Sequence, residues 1–178
     1  MATLYTDAMK LEHPLAFADL PGYSPHLSRL LAMMTYARDT TLHAARGLNV
    51  AQLDYLVHPE GNTVGMLLAH VAAVEDGYFH DTVTRKPFDW ETPACALGAA
   101  GRAALRGRPL EHYVGELERV RARTEAGFLT LDDAWLHTTD TSWGTPTSNY
   151  FRWFHVLEDE INHRGQIRLI CKLLPDDL

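Results

Sequence analysis

The chain has 178 residues, enough for one domain with a core of its own, and 46% hydrophobic against 22% charged residues is a globular balance. A formal net charge of −7 with no Lys/Arg-rich stripe argues against nucleic acid as a partner. The most apolar stretch, residues 64–74, is too short to span a bilayer and is interrupted by His70, which argues against a membrane role.

The first residues, Met-Ala-Thr-Leu-Tyr-Thr-Asp, carry neither the basic region nor the apolar core of a secretory signal. Cys95 and Cys171 lie far apart and make no disulfide framework, so two free thiols in a reducing cytoplasm are expected. Residues 1–24, with Pro14, Pro21 and Gly22, hold no sustained period and read as an irregular arm. Ser24-Pro25 is an N-cap followed by proline at the first helical position. Leu27, Leu30, Leu31, Met34, Ala37, Leu42 and Ala45 then repeat at helical spacing to Gly47. A short turn over residues 49–56 precedes the break at Pro59-Glu60-Gly61.

Asn62 or Thr63 caps a second helix, running through Val64, Leu67, Leu68, Val71, Val74 and Tyr78 to Thr84. The connection over residues 85–109 is long enough for a crossover and holds one minor helix near residues 97–105. A third helix spans residues 110–129, with Tyr113, Val114, Leu117, Val120 and Phe128 on one side. Another connection, carrying the turn signal Trp143-Gly144-Thr145-Pro146, leads to a last helix capped at Thr147 or Ser148 and ending by Leu174. Four strong helical patterns without strand alternation predict a single all-α domain, a four-helix bundle.

Chemistry concentrates on the last helix. His155, Asp159 and His163 follow at four-residue steps and stack along one face, drifting about 40° per step. Asp159 and His163 can share an ion; His155 and His163, roughly 12 Å apart along the axis, cannot. A third ligand must come from another helix, and His70, mid-helix in an apolar setting, is the candidate. Two histidines and a carboxylate leave positions open for water or substrate, the pattern of a catalytic metal site. The alternative is that both histidines are satisfied core residues and Asp159 pairs with neighbouring Arg or His.

His70 within Gly-Met-Leu-Leu-Ala-His-Val-Ala-Ala-Val-Glu, together with His163-Arg164-Gly165-Gln166-Ile167, resembles the DinB-like/YfiT-like superfamily of helical-bundle metalloproteins over about residues 26–174. The resemblance implies a bundle binding a divalent metal, zinc or nickel, through three histidines. One matches His70 and another His163; the third falls on Asp159, where a carboxylate hardens the site and brings Mn or Fe into range, or marks a lost site. It further implies a homodimer and, from characterised relatives, transfer of a low-molecular-weight thiol onto an electrophile. A hydrolase on the same site, or a metal-free stress-related binding protein, are the alternatives.

His155 is then a candidate acid/base group, and Tyr150, Trp153 and Phe154 are candidates to line a substrate pocket, with core packing as the other reading. Glu75 and Asp76 read as a solvated or dimer-facing patch, Glu160 and Arg164 as an ion pair, and Arg119, Arg121 and Arg123 as a charged helix surface. Gly165 reads as a site of close helix packing, and Trp90 and Trp143 as loop residues capping the bundle.

Overall fold

A computed structural model of the protein describes residues 17–178. Of the expected irregular arm, residues 1–16 lie outside the described residues; the rest, residues 17–24, is a turn and coil. Helix α1 (Pro25–Ala45) starts where Ser24-Pro25 places it, but its free N–H groups are capped from a distance. The Asp133 carboxylate accepts from the backbone N–H groups of His26 (3.0 Å) and Leu27 (3.3 Å) and from Ser24 Oγ (2.5 Å). One turn, α2 (Val50–Leu53), opens with a capping box between Asn49 and Gln52. Thr63 Oγ1 caps α3 (Val64–Phe79), which ends in a π-helical turn (His80–Thr84).

Two short helices follow, α4 (Pro93–Ala96) and α5 (Gly98–Ala104), then α6 (Leu110–Phe128), α7 (Asp133–His137) and the long α8 (Asn149–Lys172), capped by Ser148. Strands β1 (Thr139–Asp140) and β2 (Thr147–Ser148) pair antiparallel before α8. Segments of two residues are too short to show alternation, so this hairpin left no periodic trace in the sequence. Among the described residues, no helix is long and apolar enough to cross a membrane.

The fold is an all-α four-helix bundle of α1, α3, α6 and α8. α8 lies between α1 and α3, and α6 lies against α3 and, more loosely, α1. Residue pairs give the directions. Arg38 meets Glu160 and Ala44 meets Cys171, so α1 and α8 run the same way. His70 meets His163 and Tyr78 meets His155, so α3 and α8 run oppositely. Gly65 abuts Tyr113, Glu75 meets Arg121 and Gly127 abuts Phe79, so α3 and α6 are parallel. Residues 85–109 are therefore a crossover that carries the chain back along α3.

The core is divided. One apolar cluster gathers Leu27, Met34, Tyr78, Phe128, Trp153 and Leu157; the other gathers Leu53, Leu67, Val71, Leu117, Ile167 and Ile170. Buried charge links the four helices between them. Arg38 (α1) donates through Nε to Glu160 (α8) at 2.9 Å and through Nη2 to Glu75 (α3) at 2.9 Å. Arg121 (α6) grips Glu75 with Nε at 2.9 Å and Nη2 at 3.1 Å. Two arginines and two glutamates cancel, which is how charges survive in a bundle interior.

This layer corrects three expectations. Glu75 is fully buried rather than on a solvated patch, Arg121 belongs to the core rather than to a charged surface, and Glu160 pairs with Arg38. Arg164 reaches Thr40 Oγ1 and lies over the Tyr36 ring. Arg119 and Glu116 do form an exposed pair, at 2.8 Å.

Gly165 also departs from expectation, since a Cβ there would meet nothing within 4 Å. A glycine inside an exposed stretch of helix costs backbone entropy without a packing return. Gly165→Ala is expected to stabilise the protein by roughly 0.5–1 kcal/mol. Thermal unfolding of the two proteins side by side is the check, and a lowered midpoint would show that the position is not open.

Candidate functional site

Helix α3 presents His70 to α8 at the level where Asp159 and His163 stand one turn apart, so the three meet on facing helices. His70 Nε2 is 3.6 Å from Asp159 Oδ2, and His163 Nε2 is 3.3 Å from Asp159 Oδ1. The imidazole rings stand nearly perpendicular, with centroids 4.8 Å apart. One ligating atom from each residue lies within 4.8 Å of the other two.

The crossover sets the tautomer. Ala94, in α4, places its carbonyl oxygen 2.8 Å from His70 Nδ1. A carbonyl only accepts, so Nδ1 carries the hydrogen and the Nε2 lone pair faces Asp159 and His163. The chain just beyond, at Leu97, adopts φ 53°, a left-handed backbone that a leucine rarely takes. Its side chain packs on the second core cluster, which anchors the crossover close to His70.

Electrostatics bind the group together. Burial favours the neutral Asp159 carboxyl, but the proximity of His163 and His70 outweighs it and holds the acid well below the usual carboxylate range. Burial pulls His70 down, while Asp159 and the Ala94 carbonyl pull it up further, leaving it raised.

Two observations test whether an ion fits. Asp159 Oδ2 is buried without a hydrogen-bond partner, an uncompensated cost for a site that holds only protein. Ligands about 2.0–2.2 Å from a tetrahedral ion sit roughly 3.3–3.6 Å from one another; the two His–Asp separations, to different Asp159 oxygens, fall in that range, and the three-atom set as a whole lies within 4.8 Å. Two imidazole nitrogens and one carboxylate oxygen form a donor set of intermediate softness, which zinc and nickel accept and manganese or iron tolerates.

The other singled-out residues scatter. His155 is one turn away from Asp159, half-exposed, 3.2 Å from Glu158 through Nδ1 and stacked on Phe151 at 6.2 Å. Trp153 is wholly buried, donating from Nε1 to Thr82 Oγ1 at 3.0 Å beside Phe128. Tyr150 packs between His26 and His137. Phe154 is exposed and neighbours Phe151. Burial pushes both thiols up, so Cys95 and Cys171 stay protonated, and Cys171 donates to the Ala44 carbonyl.

Sequence reasoning missed Tyr78, which the fold sets against His155 at 6.0 Å. The signal was available, because Tyr78 lies two turns from His70 on the same helix. Trp90 and Trp143, which edge against Tyr78 at 5.5 and 5.7 Å, come from loops and left no such signal.

The family model described as mycothiol-S-transferase matches residues 29–174. Among solved structures, the crystal structure of a conserved protein of locus from Enterococcus faecalis is similar, with a TM-score of 0.67 and 17% identity. The alignment covers 81% of this chain and 94% of that one, and at this identity it speaks for the fold alone. No curated protein matches the chain.

Proposed function

The chain belongs to the mycothiol-S-transferase family, and from that membership we propose a divalent-metal-dependent enzyme that transfers a low-molecular-weight thiol onto an electrophile. The observation that carries the metal requirement is the convergence of His70 Nε2, Asp159 and His163 Nε2, with Asp159 Oδ2 buried there and without a hydrogen-bond partner.

These three side chains hold the ion in this reading, and the Ala94 carbonyl keeps the His70 lone pair aimed at it. A bound divalent ion lowers the pKa of a thiol and keeps the thiolate at a fixed position for attack. In the transfer, the sulfur gives up its proton, a bond forms between sulfur and the electrophilic carbon, and the bond from that carbon to its leaving group breaks. His155, one turn along α8 and partly open to solvent, is the nearby candidate to accept the proton.

We also read the protein as cytoplasmic and as a homodimer. Phe154, Ile161 and Leu169 on α8, and Leu173 just after it, are exposed and would be covered in such a pair. Sedimentation showing the monomer alone would remove the dimer.

The test of function starts with metal content, by plasma mass spectrometry on tag-free protein purified without chelators. About one ion per chain, together with metal-dependent loss of free thiol in the presence of an electrophile, is the expected result. Metal without thiol loss, but with hydrolysis, would move the same site to a hydrolase. No metal after reconstitution with Zn, Ni, Mn and Fe would mean that Asp159 marks a lost site, and a non-catalytic binding role would replace the enzyme.

A further inference from the structure

Five rings collect on the side of the ligand row where α3 and α8 continue past the triad. Tyr78 is at the centre, with Trp90, Trp143 and His155 meeting it edge-on at 5.5, 5.7 and 6.0 Å and interplanar angles of 67–78°. Phe151 stacks on His155 and meets Trp143 edge-on. Tyr78 lies two turns from His70, about 12 Å along α3, and His155 one turn, about 6 Å, from Asp159. Its phenol is pushed up by burial and then by the charges of Asp159 and Asp81, so it presents a neutral hydroxyl.

Trp90, Trp143 and Phe151 remain 41%, 43% and 48% exposed, yet two of them are pinned. The tip of the Trp90 indole lies against α3 at Gly77, where a Cβ would collide with it. Trp143 sits on the tip of the β1–β2 hairpin, which wholly buried Arg152 braces through Asp140 (2.5 and 2.9 Å) and Ser142 Oγ (2.8 Å). The Arg152 guanidinium is 5.3 Å from the Trp143 ring. Arg85 and Arg152 pair with Asp140, and Arg152 also with Asp81, so these charges are met by partners of opposite sign. Exposed aromatic surface held in place is a cost to folding, and a ligand that covers it recovers that cost.

We propose that Tyr78, Trp90 and Trp143, with Phe151 and His155 at the margin, form the subsite for the electrophile, and that it takes a flat, uncharged aromatic ring. The assignment rests on the thiol-transfer reading of the triad, and it makes the box a specificity device: the thiol is held at the ligand row, and the rings grip the acceptor's aromatic body while its electrophilic carbon reaches toward that row.

Binding is tested on full-length, chelator-treated protein without thiol, by titrating 1,3-dinitrobenzene, which lacks a leaving group, against tryptophan fluorescence. Saturable quenching is expected, weakened at least about fivefold by Trp90→Leu, which removes a ring, and by Gly77→Ala, which displaces the same ring. Trp143→Leu, a change at an exposed position, is a third variant whose folding is not in question. Non-saturable quenching, or affinities unchanged in Trp90→Leu and Trp143→Leu, would overturn the subsite. So would an aliphatic or cationic probe that competes as well as the ring.

The two readings separate in the loaded enzyme. If thiol is consumed in a metal-dependent way but Trp90→Leu leaves the kcat/KM ratio of 1-chloro-2,4-dinitrobenzene to iodoacetamide unchanged, the subsite fails and the transferase stands. If dinitrobenzene binds as described but no thiol is consumed, the subsite stands and the transferase reading fails.

Discussion

Replacing Arg38 by methionine is expected to cost about 3–5 kcal/mol of stability, the range for breaking a buried ion pair from one side. Arg38 is the only member of the tetrad that donates at hydrogen-bond distance to both glutamates, to Glu160 at 2.9 Å and Glu75 at 2.9 Å, and it also satisfies the Leu117 carbonyl at 3.0 Å. Methionine keeps the volume and removes the charge, so two buried carboxylates are left to Arg121. Urea unfolding measures the loss, and a change below about 1 kcal/mol would mean that water reaches the carboxylates.

The pH dependence gives a second check on the same layer. Burial alone would raise the Glu75 carboxyl, but Arg121 and Arg38 bring it down from 4.5 to about 2. A depressed folded value means that its stabilisation is fully present above the ordinary value and disappears as pH falls toward 2. In the Arg38 variant the stranded acid gains by protonation. The stability gap between variant and parent should therefore narrow as pH falls from about 4.5 toward 2, and a constant gap would point to lost packing alone.

The second large effect is at the ligand row. His70→Ala and His163→Ala are each expected to take the protein from about one tightly held ion per chain to background, because two protein ligands do not retain what three do. The loss can be read without any assay of activity. An ion that binds only the folded state stabilises it by about 2.7 kcal/mol at a hundred times its Kd. A chelator should lower the unfolding midpoint of the parent and leave that of His70→Ala unmoved. Asp159→His should tighten binding and shift preference toward nickel or zinc. Parent-like metal binding in both alanine variants would put the site elsewhere.

Local regularities made most of the fold legible. The capped, periodic runs that became α1, α3, α6 and α8 need only helical spacing and a boundary signal, and both are local. So is the pairing of Asp159 with His163, because a four-residue step places them on one face whatever else the chain does. His70 was legible as an imidazole in an apolar helix that needed a partner, though its meeting with Asp159 depends on α3 and α8 packing antiparallel.

The charged layer was illegible for a physical reason. Charge on a helix normally faces water, and Arg38, Glu75, Arg121 and Glu160 lie on four different helices, each looking like a surface residue in its own segment. Only when the bundle closes do they cancel one another, and only then does burial become affordable. The rings of Trp90 and Trp143 follow the same logic, since loops carry no period and their positions come from Gly77 and Arg152. By itself, then, the sequence determined the four long helices, their order and the Asp159–His163 pair on α8. The tertiary structure alone decided which charges are inside, which carbonyl orients His70, and which rings stand beside the site, because each depends on groups distant in the chain being brought to within a few ångströms.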